Sequence, residues 1–186
     1  MADPVIIALD QLLKGNTILY PTDTVWGIGC DATNGEAVKK VYTLKNRDDN
    51  KALICLVSDY QMLKSYIKEV PEVVYNILQD AQKPTTIIYD NPVGLADNLI
   101  GLDNTIAIRI INEGFAHELI KKFNKPLVST SANISGNPTP KSFKEIGQDI
   151  LKGVDYVVNL HHDKTDPKPS TIVKIDRNGE VEIIRE

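Results

Sequence analysis

Two hydrophobic rhythms share this chain. Apolar positions three and four apart mark helices, and short β-branched runs ended by Pro, Gly or Asn mark strands. Asp3-Pro4 followed by Val5, Ile6, Leu9, Leu12 and Leu13 predicts a capped helix that stops at Gly15. Thr17 to Tyr20 is a short strand running into Pro21, and Val25 to Cys30, with Gly27 and Gly29, is a strand or turn that admits a close neighbour. Asn34 caps a helix through Leu44, with Ala37, Val38, Val41 and Leu44 on one side. Lys45 to Lys51 is a polar loop, and Ala52 to Val57 is a buried strand. Tyr60 to Gln79 is two helical pieces, the second opened by Pro71. Thr85 to Tyr89 and Thr105 to Ile110 are strands, Glu113 to Phe123 is an amphipathic helix, and Leu127 to Thr130 is a strand. Ser142 to Leu151 is a helix capped by its serine. Tyr156 to Leu160, Thr171 to Ile175 and Val181 to Ile184 are strands, the last two joined by a hairpin at Arg177-Asn178-Gly179. His161 to Pro169 is a loop. Strands and helices alternate without strict βαβ order, which predicts an α/β fold: a mixed twisted β-sheet with helices packed on both faces.

Composition narrows the function more than the fold. The 186 residues suit one domain. A net charge of −4 argues against a general nucleic-acid coat, which leans on excess Lys and Arg, but leaves a local basic site open. Cys30 and Cys55 lie in apolar runs with no metal-type spacing, as expected of buried thiols in a reducing compartment. No run is long enough to span a bilayer and no leader pattern opens the chain, so a cytoplasmic protein without membrane contact is expected.

Four stretches are candidates for chemistry, the first of them equally readable as a polar turn after a strand. Pro126 to Gly136 is a strand that delivers hydroxyls, an amide and a glycine to a sheet edge; Ser129, Ser131 and Asn133 alternate, and in an extended chain they share one face. Tyr20 to Gly29 sets hydroxyls and Asp23 after a strand; it is either an ordinary tight turn or a place where glycines leave backbone amides uncovered for a ligand. Lys45-Asn46-Arg47 through Lys51 holds three cations beyond a helix end. They are either a solvated loop that complements the helix dipole or a grip for a polyphosphate. Arg109 ends a buried-looking strand and needs an anionic partner, in the protein or on a ligand. No His, Cys or Asp cluster suits a metal, and no Gly-x-Ser-x-Gly elbow is present. The adjacent His161 and His162 are expected in solvent, and His117 has no assigned role.

In order along the chain, Pro21-Thr22-Asp23-Thr24-Val25-Trp26-Gly27-Ile28-Gly29, Lys45-x-Arg47, Ala107-Ile108-Arg109, Ser131-Ala132-Asn133-x-Ser135-Gly136, Pro169-Ser170-Thr171-Ile172-Val173 and Ile183-Ile184-Arg185 resemble the YrdC/YciO family, the threonylcarbamoyl-AMP synthases. The Lys-x-Arg and Ser-x-Asn pairs favour the synthase branch. The chain departs from the family pattern where Pro84 alone stands for a Trp-Pro-Gly-Pro run, and at Asp48, Ala52 and Leu56.

The resemblance implies a three-layer YrdC-like fold, one domain over residues 1–186, and the short form that ends just after Arg185. It implies formation of threonylcarbamoyl-AMP and pyrophosphate from L-threonine, bicarbonate and ATP, with Mg²⁺ accompanying ATP. Lys45, Arg47, Ser131 and Asn133 would be the catalytic set. Lys45, Arg47 and Lys51 would hold the phosphates, and Thr105, Ser131, Asn133, Thr139 and Arg185 would line the rest of the ATP site. Thr24, Arg109, Ser129 and Ser170 would hold threonine, with Arg109 facing its carboxylate. Implied partners are tRNA or double-stranded RNA and the downstream tRNA threonylcarbamoyl transferase proteins. Two other readings stay open: a non-catalytic RNA- or tRNA-binding module of the same fold, and carbamoyl transfer from carbamoyl phosphate.

Overall fold

The computed structural model describes residues 3–48, 53–160, 162, 170–176 and 178–186. Helix α1 (Pro4–Leu13) begins where expected: Asp3 accepts a bond from the Val5 amide at 2.9 Å, meeting one of the donors that a helix start leaves open. Its inward face is Val5, Ala8 and Leu12, whereas Ile6 and Leu13 lie outside. Strands β1 (Ile18–Pro21) and β2 (Trp26–Gly29) lead to α2 (Gly35–Lys45), capped by Asn34 through bonds from the amides of Glu36 and Ala37. Lys45 belongs to this helix rather than to the loop after it. The left-handed Asn46, at φ 48°, ends it.

The chain continues through β3 (Ile54–Val57), α3 (Tyr60–Tyr66), α4 (Glu72–Asp80), β4 (Thr85–Asp90), β5 (Thr105–Ile110), α5 (Gly114–Phe123), β6 (Leu127–Ser131), α6 (Gln148–Gly153), β7 (Tyr156–Val157), β8 (Thr171–Ile175) and β9 (Val181–Arg185). The helix expected from Ser142 is broken. Phe143–Glu145 is a 3₁₀ turn, Ile146 and Gly147 are extended, and Ser142 Oγ bonds the Glu145 carboxylate at 3.4 Å instead of capping. Gly147 is the cause: a glycine in a helix interior loses more backbone freedom than any other residue. The strand expected over Tyr156 to Leu160 is paired at two residues only. The hairpin between β8 and β9 forms as predicted, with Gly179 at φ 81° and the Asp176 carboxylate accepting the amides of Asn178 and Glu180.

Among the described residues nine strands form one mixed sheet in the order β7-β1-β2-β6-β3-β5-β4-β8-β9. Helices α2, α3, α4 and α6 contribute to the core on one face, and α1 and α5 to the core on the other, giving the expected three layers. The two covers are unequal. On the second face α1 packs on β1, and α5 packs on β1 and β3. Farther out, Ala107, Ile88 and Ile172 are only half-buried, and β9 is exposed throughout. Strand β6 serves two neighbours: Thr130 and Ser131 pair with β2, and Leu127, Val128 and Ser129 pair with β3. At the outer edge the β8–β9 register shifts between Ile172 and Val173, so that Ile172 faces Arg185 and Val173 faces Ile183. This is a β-bulge that leaves Ile184 without a counterpart.

The β1–β2–β6 layer is close because Gly29 has no side chain. A Cβ there would meet the Val128 carbonyl at 2.5 Å and Tyr20 Cε1 at 2.6 Å. Gly29→Ala should destabilise the protein by about 1–3 kcal/mol, read as a lower urea midpoint. An unchanged midpoint would mean that β1 and β6 spread freely.

Candidate functional site

Lys45 is 1 % exposed. Its ammonium donates to the Ser131 carbonyl at 2.5 Å and the Asn133 carbonyl at 2.6 Å, and its own carbonyl accepts the Ser135 amide at 2.8 Å. The chain leaves the strand at Ser131: the Asn133 amide turns back to the Ser131 carbonyl at 2.9 Å. Asn133 therefore does not extend the alternation of Ser129 and Ser131, as the sequence suggested. Its amide group instead donates to the carbonyls of Ile134 and Asn137. Burial first, then the nearby Arg47 guanidinium, lowers the Lys45 ammonium to about 8. Arg47 is thus close to Lys45. It is half-buried, and it lines a hollow of about 620 Å³ with Lys39, Tyr42, Thr43, Asn46 and Asp48. The expected phosphate ligand Lys51 lies outside the described residues.

Arg109, 4 % exposed, has the anionic partner its burial demands. Its Nη2 donates to Asp23 Oδ1 at 2.8 Å and to Thr24 Oγ1 at 3.3 Å. The Thr24 and Thr22 hydroxyls are 3.1 Å apart, and Thr22 Oγ1 donates to the Val25 carbonyl at 2.7 Å, which shapes the turn around the ion pair. On the neighbouring strand Thr86 stands directly opposite Arg109. Its hydroxyl lies 2.9 Å from Ser170 Oγ, and Arg185 donates to the Ser170 carbonyl from Nε at 3.1 Å and Nη2 at 2.7 Å. The expected threonine residues Thr24, Arg109 and Ser170 therefore share one hydroxyl-rich patch, joined there by Arg185. Ser129 reaches it from β6. Its Oγ would lie 3.2 Å from a Cβ on Gly27, and Thr22 Cγ2 would lie 3.3 Å from the same point. The bare Gly27 lets these two walls meet. The Tyr20 hydroxyl bonds Ser129 and the Val128 carbonyl, and burial pushes its ionisation far up, so it stays neutral.

Two expected residues share no hydrogen bond with these groups. Thr105 is buried at the start of β5, where its hydroxyl donates to Asp103 at 2.7 Å. Thr139 is exposed, beyond the turn that follows β6. Asp23 and Thr86 were missing from the sequence-predicted set. Asp23 stood in a singled-out segment, but Thr86 gave no signal, because only the register of β4 on β5 puts it beside Arg109. His162 is not in solvent as expected. It stacks on Phe143 at 3.9 Å, and Trp26 packs on Phe143 at 4.9 Å.

Five buried side-chain polar atoms among the described residues make no hydrogen bond: Trp26 Nε1, Asn98 Oδ1, Arg109 Nε, Asn133 Oδ1 and Ser135 Oγ. Four of the five belong to the segments just described. Such a group left unpaired costs about 1–3 kcal/mol, so their concentration marks a place organised for something other than stability. Asp23 also borders a hollow of about 740 Å³ with Tyr60, Tyr75, Pro84, Thr85 and Glu113, and one of about 270 Å³ with Thr22 and Phe115. Among the described residues no cluster of three His, Cys, Asp or Glu gathers a metal ion, and no helix is long and apolar enough to cross a membrane.

The Sua5/YciO/YrdC family model, described as "Telomere recombination", matches residues 10–186. The chain belongs to this family. A Methanocaldococcus jannaschii protein is 38% identical over 167 residues, 89% of this chain and 77% of that protein. An Idiomarina loihiensis protein named threonylcarbamoyl-AMP synthase is 32% identical over 155 residues, 82% of this chain and 83% of that one. P. abyssi Sua5 complexed with L-threonine shares the fold at a TM-score of 0.82 and 24% identity, over 94% of this chain. The chain spans about half of that Sua5, 52%. The two constellations lie within the matched Sua5/YciO/YrdC region.

The lowered Lys45 value has a measurable consequence. Between pH 8 and the ordinary 10.5 the unfolded chain holds a proton that the folded chain has lost, so folding gains from Lys45 as pH rises through that window. Relative to Lys45→Met, the wild-type protein should gain up to about 3 kcal/mol of stability across it, read from urea unfolding at each pH. A flat difference would mean an unperturbed ammonium.

Proposed function

We propose that this chain is a threonylcarbamoyl-AMP synthase, joining L-threonine, bicarbonate and ATP with release of pyrophosphate. The observation that carries the reading is Arg109. It is a buried guanidinium bonded to Asp23 and the Thr24 hydroxyl, opposite Thr86 on the next strand, with Nε still unpaired. An amino-acid zwitterion needs this pairing: a planar cation for its carboxylate, a carboxylate for its ammonium, and hydroxyls for a polar side chain.

The chemistry follows from charge. Bicarbonate takes up a proton and loses water to give carbon dioxide; the threonine amine, once neutral, attacks its carbon, and a proton leaves the nitrogen as the carbamate forms. A carbamate oxygen attacks the α-phosphorus, and the bond to the β-phosphate oxygen breaks as pyrophosphate departs. Negative charge grows on the leaving phosphates, and Arg47, which borders an open hollow, would grip them together with Lys51. Mg²⁺ enters as the counter-ion of ATP, part of the substrate. No protein nucleophile is required. Positioning the reactants and keeping water from a labile mixed anhydride supply the rate. The product would pass to tRNA threonylcarbamoyl transferase proteins, and RNA contact would be local, since the chain as a whole is acidic.

Pyrophosphate release from ATP should require both threonine and bicarbonate when each is omitted in turn. Release that ignores threonine would point to another adenylate-forming activity, use of carbamoyl phosphate to carbamoyl transfer, and no release with tight RNA binding to a non-catalytic module. Arg109→Lys should raise the KM for threonine at least about tenfold while leaving that for ATP nearly unchanged. Equal effects on both would remove Arg109 from the threonine site.

A further inference from the structure

We infer that Lys45 is a positioning residue, whose buried ammonium ties down the turn that presents Ser131 and Asn133, rather than a ligand of the ATP phosphates. This rests on the nucleotide reading of Ser131 and Asn133 given above. An ammonium has three N–H donors. Two are spent on the backbone carbonyls of Ser131 and Asn133, and the residue is 1 % exposed. One donor and almost no surface remain for a polyanion.

The turn needs such a tie. Past the bond from the Ala132 amide to the Trp26 carbonyl at 3.1 Å, residues 133–135 have left the β6 ladder, and an unmet buried carbonyl there is costly. Bonds from a charged donor are about twice as strong as neutral ones. The last carbonyls of a helix also lack partners, and the Lys45 carbonyl receives the Ser135 amide at 2.8 Å. One residue at the end of α2 thus holds the turn at three points, 131, 133 and 135. Two residues on, past the left-handed Asn46, Arg47 is half-buried and borders an open hollow, the better placed of the two cations for phosphate.

Phosphate ligands and turn ties respond differently to the ligand's length. A ligand of the β- and γ-phosphates matters for ATP and pyrophosphate but not for AMP. A tie for the residues around the nucleoside matters for AMP and ATP alike. Lys45→Met keeps the volume and removes the donors. Calorimetry with AMP, ATP and pyrophosphate on the full chain should show AMP and ATP weakened by the same factor, about tenfold or more, with pyrophosphate little changed. Arg47→Ala should weaken ATP and pyrophosphate and spare AMP. Amide exchange across residues 132–136 should quicken in Lys45→Met, with α1 and α5 unaffected.

Loss confined to ATP and pyrophosphate, or no loss with unchanged exchange, would overturn the inference. If Lys45→Met does not fold, the wild-type protein decides. Its ¹⁵Nζ ammonium signal, shielded from the exchange that erases exposed lysines, should stay in place when pyrophosphate is added below pH 8. A large shift would overturn the tie. If the wild-type protein bound neither AMP nor ATP, the nucleotide reading would fail by itself, and the exchange rates would still decide the role of Lys45.

Discussion

A cation removed from water must find oxygen inside the protein, and among the described residues this fold buries two of them. The desolvation of a lone charge is far larger than the net stability of a domain, so neither Lys45 nor Arg109 can sit where it does without dedicated acceptors. Lys45 draws the carbonyls of Ser131 and Asn133 toward itself, and Arg109 draws Asp23 and the hydroxyl of Thr24. Each demand helps to shape a turn, the one after β6 and the one between β1 and β2. The site is the region in which these two turns face each other.

The sheet makes this compatible with stability. Its strands bury continuous apolar runs on the side of α2, α3, α4 and α6, where Cys55, Ile87, Ile108 and Val128 are fully enclosed. The buried Arg109, Thr86 and Ser129 lie on the other side. There the periodicity of two puts Arg109 and Thr86 on the same face as Leu56, which still lies under helical cover. The same strands therefore serve as core at one end and as a platform for hydroxyls at the other. Free thiols at Cys30 and Cys55 stay within the packed side, where burial raises their pKa and leaves them inert.

Much of this was legible in the residues. Capping at Asp3 and Asn34, the hairpin at Gly179 and most strands follow from short-range chemistry that the sequence states openly. So does the need of Arg109 for an anion, though not its identity. What was illegible depends on contacts between distant segments. Lys45 reads as a loop cation because nothing local says that two carbonyls 86 and 88 residues away will enclose it. Thr86 is silent until β4 pairs with β5, and Asn133 reads as strand until its backbone is seen to turn. His162 looks solvent-facing until Phe143 is brought beneath it. Gly147 is visible in the sequence, and it outweighs the apolar spacing around it.

The irregular β8–β9 ladder bears on how the molecule behaves at high concentration. Val181, Ile183 and Ile184 are exposed on a terminal strand, the kind of edge on which further chains add to build fibrils. The extra residue breaks the even spacing of donors and acceptors that an incoming strand would have to match, and Glu182 and Glu186 set negative charge along the same border. The fold thus carries its own protection against sheet-to-sheet growth at the margin it leaves uncovered.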